Sequence, residues 1–358
     1  MPSLKEIKGR INSISSTLAI TSAMKMVAAA KLQKAQMAIQ NMLPYERRLH
    51  SMLIDLMGAM NISAAASEDG SVRGSGSAER GFDQSGDRLS LSNRHDLAGM
   101  DGAYSLMAQR EVRKVAIVAF ASNSSLCGAF NSNVIREATA VINEYRASGF
   151  GDADIVVYSV GRKMAEAMRK LGFPSPADFT KMSDSPSYEA ASALAQELLD
   201  GFVSGRFDKV ELVYNHYKST SSQPTTRQTY LPLSLADATA DLQAGKITDS
   251  ASESDTNRGA EPVGAPVVRQ GSPTTEDLIV EPSKEELIAT LLPKVIRLRI
   301  FTTLLDSAAA EHAARTVAMQ LATDNGNDLL QELTLEYNKG RQQKITSEIL
   351  DLVGGSMQ

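Results

Sequence analysis

The stretch Ser283-Lys284-Glu285-Glu286, followed by Leu291, Val295, Leu298, Thr302, Leu305, Ala309, His312, Thr316, Met319, Thr323, Gly326, Leu330, Leu333, Tyr337 and Gly340, decides the fold of this chain. The tetrapeptide is a helix start, because the Ser283 hydroxyl and the Glu286 side chain each satisfy a backbone amide that a first turn leaves without a partner. The positions after it recur by alternating steps of four and three and none is formally charged, which is the pattern of a coiled-coil seam. Pro293 falls near the start, and no proline follows it before Gly354-Gly355. At 1.5 Å per residue such a helix is roughly 100 Å long, too long for the inside of a compact domain.

Its partner is written at the other terminus. Ser3-Leu4-Lys5-Glu6 is a second helix start, and Leu4, Ile11, Leu18, Lys25, Leu32 and Ile39 alternate with Ile7, Ile14, Thr21, Ala28, Ala35 and Met42 in heptad register. Lys25 alone places a charge in that seam. Two such seams at opposite ends of one chain predict an antiparallel helical hairpin that carries whatever lies between them. The small seam residues Ala309, Thr316, Thr323 and Gly326 allow the helices a close approach.

Between the seams, three apolar runs (residues 115–120, 155–160 and 210–217) alternate with helical stretches at about 131–147, 162–171 and 188–203. Alternation of this kind predicts a mainly parallel sheet, with residues 227–233 as a candidate edge strand. The fold class is therefore α/β: a long antiparallel coiled coil of the N- and C-terminal helices with an inserted small, Rossmann-like α/β domain. The expected divisions are 1–58 for the first helix, 109–233 for the α/β domain and 278–358 for the last helix. Segments 61–108 and 234–277, rich in Ser, Gly, Asp and Ala or Pro, are expected to be flexible insertions.

The chain is 42% hydrophobic and 22% charged, with a formal net charge of -5, which gives no overall attraction to nucleic acid. Cys127 is the single cysteine, so no intrachain disulfide forms and a reducing compartment is expected. Met1-Pro2-Ser3 leads straight into a helix without a signal segment, and no apolar run is long enough for a membrane span, so membrane contact is expected only through partners. The loop at 121–129, after the first strand, is where an α/β sheet would bind phosphate, but it has neither a G-x-G-x-x-G fingerprint nor a Walker lysine. Cys127 has the setting of a buried small hydrophobe, and His50, His95, His216 and His312 are too scattered for a metal site. No catalytic, cofactor-binding or metal constellation is expected.

The termini carry more specific signals. From Lys5 to Arg48 the first helix has eight basic residues against Glu6 and Glu46. That charge is either a solvated face or a surface for an acidic partner. Near the other end Ile345, Ile349, Leu350, Leu352 and Val353 lie beyond the reach of a shorter antiparallel partner, as apolar positions in need of an external sleeve.

Residues 14–32, the loop Leu126-Cys127-Gly128, and residues 311–319 through 337–349 closely resemble the gamma subunit of the bacterial F-type ATP synthase. The likeness covers both termini and the middle domain, and only the two insertions fall outside it. In the central loop Asn123, Ser124 and Ser125 stand where aspartate, arginine and glycine are common, and the regulatory cysteine pair of the chloroplast branch is missing. The resemblance implies a rotor shaft whose tip turns inside the alternating alpha and beta subunits, and whose foot sits with epsilon on the membrane ring of c subunits. It implies no bond chemistry and no cofactor in this subunit, and a place at the cytoplasmic face of the bacterial plasma membrane. By position it implies contacts with alpha and beta from Met24, Lys25, Arg315, Arg341, Gln342, Thr346 and Glu348, with packing inside the shaft an equal alternative for Met24 and Thr346. Two other classes stay open: a passive coiled-coil scaffold, and an α/β enzyme with a helical arm.

Overall fold

The computed structural model describes residues 3–68, 106, 110–233 and 283–356. In chain order these form α1 (Leu4–Glu68), β1 (Val115–Phe120), α2 (Phe130–Ala147), β2 (Ile155–Val160), α3 (Arg162–Lys170), α4 (Thr180–Asp184), α5 (Tyr188–Val203), β3 (Lys209–Asn215), β4 (Thr225–Leu231) and α6 (Lys284–Ser356). Most of the two expected insertions lies outside the described residues.

Both long helices begin as the sequence predicts. The Ser3 hydroxyl accepts from the Glu6 amide at 3.3 Å, and the Ser283 hydroxyl accepts from the Glu286 amide at 3.1 Å. Pro44 and Pro293 lie inside them, each forgoing one intrahelical bond. Past residue 58 the first helix continues to Glu68 instead of stopping, because Ala64-Ala65-Ala66 favour helix more strongly than the polar residues around them oppose it. Leu106, which falls in the stretch of expected insertion, is buried in the core, and its carbonyl accepts from the Leu233 amide at 3.0 Å.

The helices run antiparallel. A Cβ at Gly340 would sit 3.1 Å from Leu4, and one at Gly326 would sit 2.6 Å from Leu18. The Thr323 hydroxyl meets Thr21 at 3.2 Å, and Leu32 packs on Ala309 and Ala313. In the first three of these pairs every step forward along α1 is matched by an equal step back along α6, so one register holds from Leu4 to Thr21. The expected seam positions of α1 all turn inward, and its outward positions are exposed.

The sheet order is β2-β1-β3-β4, with β1 parallel to both neighbours and β4 antiparallel to β3 at the edge. One face, through Ala116, Val118 and Phe120, packs on α5 and on both long helices. The other, through Val115, Ile117 and Ala119, packs on α2 and α3. On this second face Glu211 is 2% exposed and takes hydrogen bonds from Arg227 at 2.7 Å and Tyr145 at 2.6 Å, beside an ion pair with Lys209 at 2.6 Å. Burial alone would raise the pKa of Glu211, but these donors outweigh it and hold the carboxyl below its ordinary value. The sheet is also tied to α6 directly, for the buried Tyr230 hydroxyl donates to the Ile296 carbonyl at 2.8 Å.

Candidate functional site

The chain enters β1 at the centre of the sheet, crosses to β2 on one side and then to β3 on the other. The strand order therefore reverses between β1 and β3, and the crevice at their carboxyl ends is where a doubly wound sheet would hold a ligand. Here it is filled by the chain itself. Residues 306–318 of α6 cross it, with Ala310 and Ala314 against Cys127, Phe130 and Tyr217.

The loop after β1 is stiff. Ser122 bonds to Asn131 and Ser124, Asn123 bonds to Thr180 and Arg162, and Cys127, 1% exposed, takes a bond from Asn131 at 3.1 Å. The cysteine is thus the buried small hydrophobe that its setting suggested. Leu126 is held at a φ of 69°, a left-handed conformation that costs a leucine about 1–2 kcal/mol. Its side chain nonetheless stays 57% exposed. Across the crevice the Asp306 carboxylate accepts from His216 Nδ1 at 2.7 Å and from the Tyr217 amide at 2.9 Å. That bond to Asp306 raises the pKa of His216 above its ordinary value. No spacing in the sequence marked His216, Asp306 or Gln36, since their partners lie far away in the chain.

The residues expected to touch other subunits fall into three places. Met24 and Lys25 are half-buried along the helical pair. Arg315 is largely covered; its guanidinium donates to Glu311 at 2.7 Å and to the Ser124 hydroxyl at 2.7 Å. Arg341, Gln342, Ile345, Thr346, Glu348, Ile349 and Val353 lie beyond Gly340, the last residue that faces α1. There residues 341–350, 352 and 353 are all exposed. Among the described residues the Thr346 hydroxyl bonds back to the Gln342 carbonyl, at 2.9 Å, and Lys344 pairs with Glu348 at 3.7 Å. The overhanging helix extends roughly 24 Å past its partner at 1.5 Å per residue.

In the helical pair His50 is buried, at 4% exposure, and His312 is half-buried in the seam, and among the described residues neither Nδ1 atom has a hydrogen-bond partner. Burial, with Arg299 near His50 and with Arg315 and Lys31 near His312, lowers both pKa values to about 4. In the unfolded chain each takes up a proton near pH 6.5. Between these values the unfolded state binds more protons, so stability is complete above pH 6.5 and declines as the pH falls toward 4. For His50 the loss is about 3 kcal/mol at most. The urea midpoint is expected to fall between pH 7 and pH 5, and His50→Gln should flatten that slope; an equal slope in the variant would contradict the assignment.

A helical pair whose longer member fills the crevice of the α/β domain and overhangs its partner at one end has the build of a stalk. Comparison with known proteins agrees. The ATP synthase family model matches residues 3–357. The chain is 46% identical over 357 residues to the ATP synthase gamma chain of Phocaeicola vulgatus, and 45% identical over 358 residues to that of Bacteroides thetaiotaomicron, covering 100% of both chains in each case. A chain in the cryo-EM structure of the Euglena gracilis mitochondrial ATP synthase shares the fold at a TM-score of 0.52 and 19% identity, over 99% of this chain and 93% of that one. The chain belongs to the ATP synthase gamma chain family, whose members form the central stalk of the F-type enzyme. Among the described residues no helix is long and apolar enough to cross a membrane, and no cluster of His, Cys, Asp or Glu is arranged to hold a metal ion.

Proposed function

We propose that this subunit is the non-catalytic rotor of its complex, with the overhanging end of α6 turning inside a sleeve of alpha and beta subunits. In this reading the foot, with the α/β domain, meets epsilon and the ring of c subunits, and the assembly lies at the cytoplasmic face of a bacterial plasma membrane. The observation that carries it is the overhang: Ile345 and Ile349 are 48% and 55% exposed on a part of α6 that runs past α1, with no other helix packed on it among the described residues. Exposed apolar positions in a row call for an apolar surround. A surround free of strong directional bonds also lets the helix turn, because each such bond would add a barrier at one angle. Torque then reaches the catalytic sites as differential contact, each orientation of an asymmetric shaft favouring one conformation of each site.

A cysteine placed at Ile349 and crosslinked to the surrounding alpha or beta subunit tests this. Rotation-coupled ATP turnover should stop or slow sharply, and recover on cleavage of the crosslink. Turnover at the uncrosslinked rate would sink the rotor reading.

Lys25, Met24, Arg315 and the exposed Arg341, Gln342, Thr346 and Glu348 are the proposed contacts with the head. Lys25→Glu is expected to lower proton pumping per ATP hydrolysed, since a cation facing an acidic partner would become repulsive. A wild-type ratio in membranes carrying the variant would make Lys25 a solvated seam residue.

A further inference from the structure

We propose that the crevice at the carboxyl ends of β1 and β3 acts as a socket that fixes the angular setting of the α/β domain on the helical pair; this rests on the rotor reading. Two polar pins define it. In the first, Asp306 of α6 binds His216 Nδ1 and the Tyr217 amide, and the Tyr217 hydroxyl accepts from Gln36 Nε2 of α1 at 2.7 Å, so the end of β3 grips both helices. In the second, Arg315 of α6 reaches the Ser124 hydroxyl in the loop after β1 while Glu311 holds its other nitrogen. The pins are about 13 Å apart along the helix at 1.5 Å per residue.

Between them the contact is apolar and close. Ala310 and Ala314 face Cys127 and Phe130, and just past the second pin a Cβ at Gly128 would stand in ordinary van der Waals contact, 3.8 Å, with Ala318. Apolar contact is non-directional, so it holds the domain against the shaft but resists sliding around it weakly. Charge-assisted hydrogen bonds have a required direction, and two of them at different heights resist rotation and tilt together. A fixed setting matters to a rotor because any slack between foot and shaft is lost from the angle delivered to the head. His216, Asp306 and Ser124 are thus positioning residues. The crevice that would otherwise hold a small ligand holds an axle.

The test uses the full chain with spin labels on cysteines at Ala140 of α2 and Ala30 of α1, both exposed, while the buried Cys127 stays unlabelled. Asp306→Ala should broaden the distance distribution at least about two-fold, and Ser124→Ala should broaden it less. Asp306→Asn, whose carbonyl oxygen still accepts from the Tyr217 amide while its NH2 donates to the Nδ1 of a neutral His216, should restore the parent width. Parent width in either alanine variant overturns the proposal. Should Asp306→Ala lose its fold, the exposed Ser124→Ala decides alone. The measurement needs no partner, so it stands apart from the rotor reading: a socket that behaves as proposed in a chain that never joins a hexameric ATPase head would sink only the latter.

Discussion

Ending the chain after Gly340 is expected to reduce proton pumping per ATP hydrolysed by about half or more, while leaving the α/β domain as stable as before. The removed segment begins where α6 passes the end of α1, and residues 341–350 are exposed throughout. Its loss therefore uncovers no core and breaks no contact with the sheet. What it removes, in the proposed reading, are the positions through which the shaft and the head would distinguish one angle from another. The decisive measurement is the pumping ratio in membranes carrying the shortened subunit, beside the thermal midpoint of the isolated chain. An unchanged ratio in a fully assembled complex would move torque transfer lower, to the level of Met24 and Lys25.

Gly161→Ala should have the largest effect on stability. Gly161 joins β2 to α3 at a φ of +95°, and a Cβ there would lie 2.0 Å from the Ala121 carbonyl oxygen and 2.8 Å from its carbon. Neither atom can step aside, because Ala121 is held by a 2.8 Å bond from its amide to the Val160 carbonyl. Left-handed strain and forced overpacking together cost about 3–5 kcal/mol, a large share of a typical domain's stability. Gly149→Ala is the control: its φ is +93°, but nothing lies within 4 Å of its Cβ, so the cost should be about 1 kcal/mol. Urea midpoints of the two variants compare them. Equal losses would show that φ alone, and not the contact with Ala121, sets the penalty at Gly161.

The parts of this molecule that were legible in the sequence are those governed by a local period. The heptads of α1 and α6 read correctly down to the inward turn of Lys25, and Tyr188–Val203 matches its helix residue for residue. Val115–Phe120 was legible as a strand because six apolar residues in a row fit a strand covered on both faces. Short elements left less trace: Thr180–Asp184 makes barely one helical turn and has no apolar period. The continuation of α1 to Glu68 was masked by composition, since serine and glycine a few residues on outweighed three alanines. Least legible was the socket. His216 and Asp306 are ninety residues apart and Ser124 and Arg315 nearly two hundred, and each is an ordinary polar residue in its own neighbourhood. Arg315 stood out in the sequence only as an expected contact with other subunits, and only the folded chain shows its guanidinium turned toward Ser124 in the loop after β1.

The largest core of the molecule draws on Leu49, Leu53 and Leu56 near the beginning of the chain and on Ile288, Leu292, Ile296 and Leu304 near its end, with the sheet and α5 between them. On a ribosome the sheet therefore emerges with one face uncovered, and that face waits for a helix that has not yet been made. The α2 side can close early, from segments adjacent in sequence, whereas the α5 side cannot finish before residue 304 has left the exit tunnel. Assembly of this subunit is for that reason late and non-local, and a nascent chain paused before its last helix presents a broad apolar sheet to whatever chaperone is at hand.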